Sequence, residues 1–266
     1  MNETTIEWTD HTWNPASGCK VVSEGCRYCY AKTLAENKRG TAAFPRGFDL
    51  TIRPHKLDEP RRLKVPSRVF VNSMSDLFWE EISDEYRSRI IDVMWNTPLH
   101  QYQVLTKRPA NMARFFKNRE VPDNMWCGTT IESNRVMDRA DYLRDVPAAV
   151  RFISAEPLLS DLDGLNLQGL HWVISGGESG SHLSDDHVAT RRALVARGPS
   201  GWFVRDDRAD WVRGIRDACR SAGVSFIHKQ WGGLRPKSCG RELDGIIHDE
   251  YPRVRGYVSP TRIMAQ

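Results

Sequence analysis

The sequence lacks any long apolar run. No stretch of about eighteen consecutive apolar residues occurs, so a membrane-spanning helix is not expected. The first ten residues are acidic and carry no basic residue ahead of an apolar segment, which is not the pattern of a secretory signal peptide. We therefore expect a cytoplasmic protein without a membrane partner. The formal charge of +4 permits a nucleic acid or another anionic partner but does not require one.

Cysteine is also scarce, with six in 266 residues, yet Cys19, Cys26 and Cys29 fall within eleven residues. In the cytoplasm, cysteines stay reduced unless they bind metal or do chemistry. Simple packing of a small apolar side chain explains the isolated Cys127 and Cys219 better than it explains this cluster. The cluster therefore indicates a metal site.

Two metal sites are compatible with three clustered thiols. A structural zinc takes four ligands, and His11, Cys127 or Cys239 would have to supply the fourth. A [4Fe–4S] cluster normally takes four thiolates, so three local cysteines would leave one iron open to a non-protein ligand. An open iron is useful when that ligand is a substrate or a cofactor that reacts.

Short apolar runs alternate with helical stretches along the chain. The runs are Arg68–Ser73, Tyr102–Thr106, Trp126–Ile131, Arg151–Ala155, His171–Ser175 and Ser225–Lys229, with a further strand expected near Ile6–Thr12. The intervening helices include 84–96 behind a Ser83 cap, 134–144 behind a Ser133 cap, and 209–222 ending at Gly223. This order predicts an α/β fold with parallel strands, as a partial or full (β/α) barrel, with an open doubly wound sheet as the alternative.

Polar residues follow most of the predicted strands. In a barrel the carboxyl ends of the strands meet at one face, which is where active sites lie. The polar segment 181–208 interrupts the alternation, and we expect it to be an inserted loop or lid within a single domain spanning residues 1–266.

The cysteine stretch and many other motifs carry a family resemblance. Gly25-Cys26-Arg27-Tyr28-Cys29 resembles the closing half of the radical S-adenosylmethionine (SAM) signature, although six residues rather than three separate Cys19 from Cys26. Further motifs are Thr12-Trp13-Asn14-Pro15, Phe70 to Phe78, Leu105 to Pro109, Ser154 to Leu158, Gly176 to Gly180 and Lys229 to Gly233. Together they resemble, over nearly the whole chain, a phage-associated family of unknown function (DUF5131 type), described as three-cysteine-motif or radical-SAM-like. A more distant likeness is to spore photoproduct lyase, a radical-SAM enzyme.

The resemblance implies a radical-SAM-type barrel with a [4Fe–4S] cluster on Cys19, Cys26 and Cys29. In such enzymes the open iron binds the methionine part of SAM, one electron cleaves the sulfonium, and a 5′-deoxyadenosyl radical attacks the substrate. The candidate SAM-binding residues are Ser73, Asp76, Thr130, Glu132, Glu156, Gly176, Gly177 and Glu178.

Structural roles remain open for several of these candidates. Asp76 is also suited to capping the following helix, and Lys107 to pairing with Glu132 or Glu156. The glycine pair is equally typical of a chain turning after a strand.

The sequence says less about the substrate. Basic residues gather at 46–68 and again in 181–208, with Trp202, Phe203 and Trp231 near them, which is typical of nucleic-acid surfaces and equally of solvated charged faces. If the protein is an enzyme of this kind, it also needs a reductant as a partner. The alternative is a non-catalytic, phage-associated zinc or iron–sulfur protein that binds nucleic acid or a protein partner.

Overall fold

A large, mostly parallel sheet forms the centre of the protein. The computed structural model describes residues 1–253. The strands are β1 (Asn2–Glu3), β2 (His11–Trp13), β3 (Ala16–Ser17), β4 (Thr51–Ile52), β5 (Arg68–Val71), β6 (Gln101–Thr106), β7 (Met125–Thr130), β8 (Arg151–Ala155), β9 (Trp172–Gly176), β10 (Val195–Gly198), β11 (Gly201–Val204) and β12 (Ser225–Gln230). Eight of them form the main sheet, in the order β1-β2-β5-β6-β7-β8-β9-β12.

The strand order identifies the type of sheet. Strand β1 is antiparallel to β2, and all other neighbours in the sheet are parallel. The order of the strands in the sheet follows their order in the chain. A doubly wound sheet would reverse its order at a switch point, whereas this order never reverses. Within residues 1–253, β1 and β12 are edges that do not pair with each other, so the sheet is an open, barrel-like layer. The predicted α/β fold is confirmed, and all six apolar runs form strands of this sheet.

The helices cover one face of the sheet. They are α1 (Tyr30–Asn37), α2 (Glu59–Arg62), α3 (Asp84–Trp95), α4 (Pro109–Phe116), α5 (Arg139–Arg144), α6 (Asp186–Arg192) and α7 (Asp206–Ala222). Alternate strand residues such as Val69 and Val104 join them in the main core. Among residues 1–253, no helix has the length and hydropathy needed to cross a membrane.

The opposite face of the sheet carries a second, aromatic core. Its buried members are Trp8, Phe70, Trp126, Val150, Phe152, Trp172, Ile174 and Ile227. Trp172 is fully buried and contacts the rings of Trp126 and Phe152 at centroid distances of 5.8 and 5.6 Å. This core fills the inside of the curved sheet and leaves the carboxyl ends of the strands for polar residues.

Two of the three predicted helix boundaries are confirmed. The Ser83 hydroxyl accepts a hydrogen bond from the Tyr86 N–H at 3.2 Å and caps α3, and Gly223, with a φ of +67°, ends α7. The helix predicted for 134–144 is wrong, because Asn134–Val136 forms a 3-10 turn and α5 begins only at Arg139. Here the Asn134 N–H donates to the Ser160 hydroxyl at 2.9 Å, which ties the chain to the β8–β9 loop instead of to a Ser133 cap.

The segment 181–208 contains regular structure. It forms a 3-10 turn at Ser181–Ser184, then α6, and then the β10–β11 hairpin. Leu183, Ala189 and Leu194 are buried in the main core. These apolar contacts dock the segment onto the body of the protein, and its polar side chains lie at the surface and against the cysteine loop.

Candidate metal centre

The cysteine loop, residues 18–29, starts beside the carboxyl end of β5. The Gly18 N–H donates to the Met74 carbonyl at 2.9 Å, and Gly18 pairs with Ser75 in a short parallel bridge. Gly18 has a φ of +93°, and a Cβ on it would lie 2.5 Å from the Asp49 carbonyl oxygen. Glycine is required here because the backbone passes so close to its neighbour. The result is that Cys19 lies at the face where the parallel strands end.

The other two cysteines follow in a tight turn that leads into α1. Cys26 closes the 3-10 turn Glu24–Cys26, and Cys29 is the N-cap residue of α1, with its N–H donating to the Cys26 carbonyl at 3.3 Å. Cys19 and Cys29 both pack against the apolar cluster of Ala31, Ala35, Phe48 and Met74.

The three thiols fit an iron–sulfur cluster as a donor set. All three cysteines are half-buried and free of disulfides. Within residues 1–253, no group of three or more His, Cys, Asp or Glu side chains is close enough together to hold a single metal ion. A [4Fe–4S] cluster takes its thiolates on different irons, so its ligands need not converge on one point. Of the other cysteines, Cys127 is fully buried in β7.

Asp76 lies under Cys19 and is joined to it by Arg108. The Asp76 carboxylate accepts hydrogen bonds from the Thr106 hydroxyl at 2.6 Å, the Lys107 N–H at 3.1 Å and Arg108 Nη1 at 3.0 Å. Arg108 Nη1 also lies 3.7 Å from Cys19 Sγ. Burial, together with the Asp76 charge, raises the pKa of the Cys19 thiol to about 11, although Arg108 acts in the opposite direction. Asp76 therefore uses its carboxylate within the protein to tie the ends of β5 and β6 to the cysteine loop.

Glu132 holds the middle of the cysteine loop. Its Oε1 accepts from the Gly25 N–H at 3.3 Å, and its Oε2 accepts from Arg139 Nη1 at 2.8 Å. A Cβ on Gly25 would lie 3.1 Å from the Glu132 side chain, so a larger residue here would require the carboxylate to shift by a few tenths of an ångström. Burial acts to raise the pKa of Glu132, but the neighbouring Ser23 together with Arg139 and Lys107 outweighs it, and the pKa stays below its ordinary value. Glu132 is thus an ionised support for the turn that carries Cys26.

Glu178 supports the same loop from the other side through Arg192. Arg192 donates to both Glu178 carboxylate oxygens, at 2.6 and 2.8 Å, and to the Glu24 carbonyl at 3.3 Å. The His182 ring stacks on Tyr28 with centroids 4.0 Å apart and planes 3° from parallel. The segment 181–208 therefore contacts the cysteine loop directly, through the bond from Arg192 to Glu24 and through the His182 ring stacked on Tyr28.

Glu156 and Thr130 lie at neighbouring strand ends and pair with lysines. Lys229 Nζ lies 3.1 Å from Glu156 Oε1, and Lys107 Nζ donates to the Thr130 hydroxyl at 3.3 Å. Within residues 1–253, Lys107 does not form the predicted ion pair with Glu132 or Glu156. Instead, Lys107 contacts Thr130, Glu132 pairs with Arg139, and Glu156 pairs with Lys229. Unlike Asp76 and Glu132, Glu156 and both lysines are only half-buried.

The space beside the two glycines is filled by the protein itself. A Cβ on Gly176 would lie 2.4 Å from Glu156 Oε1, and one on Gly177 would lie 2.0 Å from the Trp231 carbonyl oxygen. Gly177 also donates to the Gln230 carbonyl at 2.8 Å. Ser73 is the exception among the small residues at this face: it is half-buried, and its hydroxyl accepts from Asn14 Nδ2 at 3.1 Å. The glycines thus allow strand ends to pack, whereas Ser73 lies close to the surface of the site.

The close backbone contact at Gly177 gives a stability prediction. Gly177→Ala should lower the free energy of unfolding by about 1–3 kcal/mol, because the new methyl group forces β9 and the Trp231 backbone apart. Gly214→Ala, an exposed change inside α7 with ordinary contacts, should raise it by about 0.5–1 kcal/mol. Urea unfolding of both variants measures this difference. If Gly177→Ala were as stable as the native protein, the packing role assigned to this glycine would be wrong.

Arginines are the site residues that the sequence analysis missed. Arg108, Arg139 and Arg192 each link a predicted carboxylate to the cysteine loop or its neighbours. Arg108 does follow a predicted strand, which is a positional signal. No local pattern connects Arg192 to Glu24, which lies 168 residues earlier in the chain.

A family model matches the chain in sequence, and solved structures match it in fold. A search of the curated proteins gave no match. A mutant of spore photoproduct lyase is similar in structure with a TM-score of 0.56 and 12% identity, over 88% of this chain and 78% of that one. Another mutant of the same enzyme, with bound AdoMet and dinucleoside spore photoproduct, gives a TM-score of 0.49 and 13% identity over 84% and 76%. The first of these shows that the α/β fold is similar to that of spore photoproduct lyase. The family model described as "Protein of unknown function (DUF5131)" matches residues 3–196 and 186–252, so the chain belongs to the DUF5131 family.

Proposed function

We propose that this protein is a radical-SAM-type iron–sulfur enzyme that acts on a nucleic acid or a nucleotide. Cys19, Cys26 and Cys29 hold a [4Fe–4S] cluster in this proposal. The observation that carries it is the position of three free thiols on one loop at the carboxyl ends of parallel strands, where enzymes of this architecture bind their substrates. The similarity of the fold to that of spore photoproduct lyase supports the same assignment.

The number of thiols indicates what the cluster and the protein would each contribute to the reaction. The bound cluster would supply the single electron that cleaves the sulfonium of SAM. Three cysteines serve three irons and leave the fourth for the methionine amino and carboxylate groups of SAM. The protein's own part is to hold the cysteine loop in place and to orient SAM and the substrate over it.

The candidate residues separate into two groups by their contacts. Asp76, Glu132 and Glu178 are buried and bonded to arginines, and we assign them the support of the cysteine loop. Four other residues lie at the strand ends, and none of them bonds an arginine through its side chain within residues 1–253: Ser73 and Glu156, which are half-buried, and Thr130 and Gly176, which are buried. We propose that the Thr130 hydroxyl binds the ribose of SAM and that the Glu156 carboxylate lies near the sulfonium charge.

Half-buried lysines at the same strand ends favour an anionic substrate. Within residues 1–253, Lys107 forms no salt bridge and donates to the neutral Thr130 hydroxyl, so in this proposal its ammonium attracts a phosphate or a carboxylate. Phe203 on the β10–β11 hairpin has 53% of its surface exposed, and Arg197 on the paired strand is exposed as well. Arg197 pairs with Trp202 and Phe203 pairs with Ala196, so the Arg197 and Phe203 side chains lie on opposite faces of the hairpin. In this proposal a base stacks on the exposed Phe203 ring, which is a common mode of single-strand binding.

The basic run at 46–68 contributes less than its composition indicates. Arg68 is buried in an ion pair with Asp10 at 2.8 Å, and Lys56 and Arg61 pair with Glu59 and Asp58. We therefore place the nucleic-acid surface on the hairpin. The proposed reaction also needs a reductant protein and a reducing compartment, which we take to be the cytoplasm.

Electron paramagnetic resonance of the protein reconstituted without oxygen tests the proposal. We expect a reduced [4Fe–4S] signal that changes shape when SAM is added, because SAM would bind the open iron. We also expect 5′-deoxyadenosine to form from SAM, and to form faster when an oligonucleotide is present. A protein that carries stoichiometric zinc and forms no cluster would refute the enzyme assignment, and a signal indifferent to SAM would refute the open iron.

A further inference from the structure

Arg108 is a buried arginine that the proposed reaction does not otherwise use. It follows β6 and is 8% exposed, and its backbone N–H donates to the Thr106 hydroxyl at 2.9 Å. Burying a guanidinium is costly unless every part of it is bonded. Its partners therefore show what holds this cation in place.

The guanidinium of Arg108 is bonded on all sides. Nη1 donates to Asp76 Oδ2 at 3.0 Å, Nη2 donates to the Lys20 carbonyl at 3.0 Å, and Nε lies 3.3 Å from a Glu80 carboxylate oxygen. Nη1 carries two hydrogens, and the second lies toward Cys19 Sγ at 3.7 Å. The sulfur of Cys19 thus has a cationic N–H donor within hydrogen-bond range.

The position of this donor is fixed by the strands below it. Asp76, which orients the guanidinium, is itself held by Thr106 and by the Lys107 N–H. Arg108 would have to break the Asp76 and Lys20 bonds before it could move away from Cys19. It is therefore preorganised beside the sulfur rather than drawn there by a ligand.

We infer that Arg108 raises the reduction potential of the iron–sulfur cluster by donating a hydrogen bond to the Cys19 thiolate. This inference rests on the proposed function, since it requires the cluster. Reduction adds a negative charge that is shared with the sulfur ligands, and a cationic donor stabilises that charge more in the reduced state. Arg108 is a positioning and tuning residue here, because it acts through Cys19 and not on the substrate.

The test is a potentiometric titration of Arg108→Gln followed by electron paramagnetic resonance. We expect the equilibrium constant for reduction to fall about tenfold, which corresponds to a midpoint potential more negative by about 59 mV for a one-electron couple. Loss of the arginine also leaves the Asp76 charge unbalanced, which acts in the same direction. Arg108→Lys keeps the positive charge, and its midpoint potential should lie between those of the native protein and Arg108→Gln.

Arg114→Gln is the matched control. Arg114 is an exposed arginine on α4, the helix that Arg108 precedes, and its loss should leave the potential unchanged. An Arg108→Gln protein with full iron content and an unshifted potential would overturn the inference while the enzyme assignment stood. A native protein that forms no cluster would instead refute the proposed function itself.

A second measurement on the native protein applies even if Arg108→Gln fails to fold. Pulsed electron paramagnetic resonance of protein labelled with ¹⁵N only at the arginine guanidinium nitrogens should detect a ¹⁵N coupling to the reduced cluster, because Arg108 Nη1 lies 3.7 Å from a proposed ligand sulfur. A cluster without any arginine nitrogen coupling would contradict the inference.

Discussion

Cys26→Ala is expected to lose at least nine-tenths of the iron that the native protein binds, which is about four atoms per chain for a [4Fe–4S] cluster. Cys26 lies between Cys19 and Cys29 on the turn held by Glu132, and the other three cysteines lie outside this loop. In the proposed site, two thiolates would leave two irons without a protein ligand, which is too few ligands to retain the cluster. Iron and sulfide analysis after anaerobic reconstitution, together with the visible absorption of the cluster, measures the loss.

Cys239→Ala is the control for this loss. Cys239 is a half-buried cysteine beyond β12, and its removal should leave the iron content at the native level. Equal iron in Cys26→Ala and the native protein would show that the cluster, if one forms, uses other ligands. Equal zinc in the native protein and in Cys239→Ala, without iron, would favour the structural-metal alternative.

Arg192→Ala is expected to lower the free energy of unfolding by about 3 kcal/mol. The change removes the partner of Glu178, whose carboxylate is buried and then carries an uncompensated charge. Because Arg192 also bonds Glu24, the cysteine loop loses one of its two links to the segment 181–208 and keeps the stacking of His182 on Tyr28. Urea unfolding measures the stability, and hydrogen exchange of residues 23–29 should rise in the folded protein.

A double-mutant cycle separates the ion pair from other effects of truncation. Glu178→Ala combined with Arg192→Ala should cost less than the sum of the two single changes, because neither partner is then left charged and buried. Arg191→Ala, on the exposed side of α6, should change stability by less than about 0.5 kcal/mol. Strict additivity of Glu178→Ala and Arg192→Ala would contradict the coupling shown by their 2.6 Å contact.

The strands were the most predictable part of the fold. Short apolar runs such as Arg151–Ala155 read as strands because both of their faces are buried, one against helices and one inside the curved sheet. The boundary at Ser133 was not predictable in the same way. The Asn134 N–H bonds to Ser160, which lies 26 residues later, and this contact overrides the local capping pattern.

The candidate carboxylates show how far the sequence could predict the site. The sequence placed Asp76, Glu132 and Glu178 at strand ends, and all three do lie near the cysteine loop. Their partners are Arg108, Arg139 and Arg192, and nothing in the local sequence distinguishes a carboxylate paired with an arginine from one available to a ligand.

The sequence by itself determined the parallel α/β fold, the polar strand ends and the three-thiol loop, because hydrophobic periodicity and cysteine spacing are local properties of the chain. Only the tertiary structure decided which polar residues support that loop and which remain available at the strand ends. Arg192, which is paired with Glu178, reaches Glu24 across 168 residues, and Arg108 reaches Cys19 across 89. Such pairings depend on how the strands are ordered and how segment 181–208 docks, and burial then makes each unpaired charge too costly to leave alone.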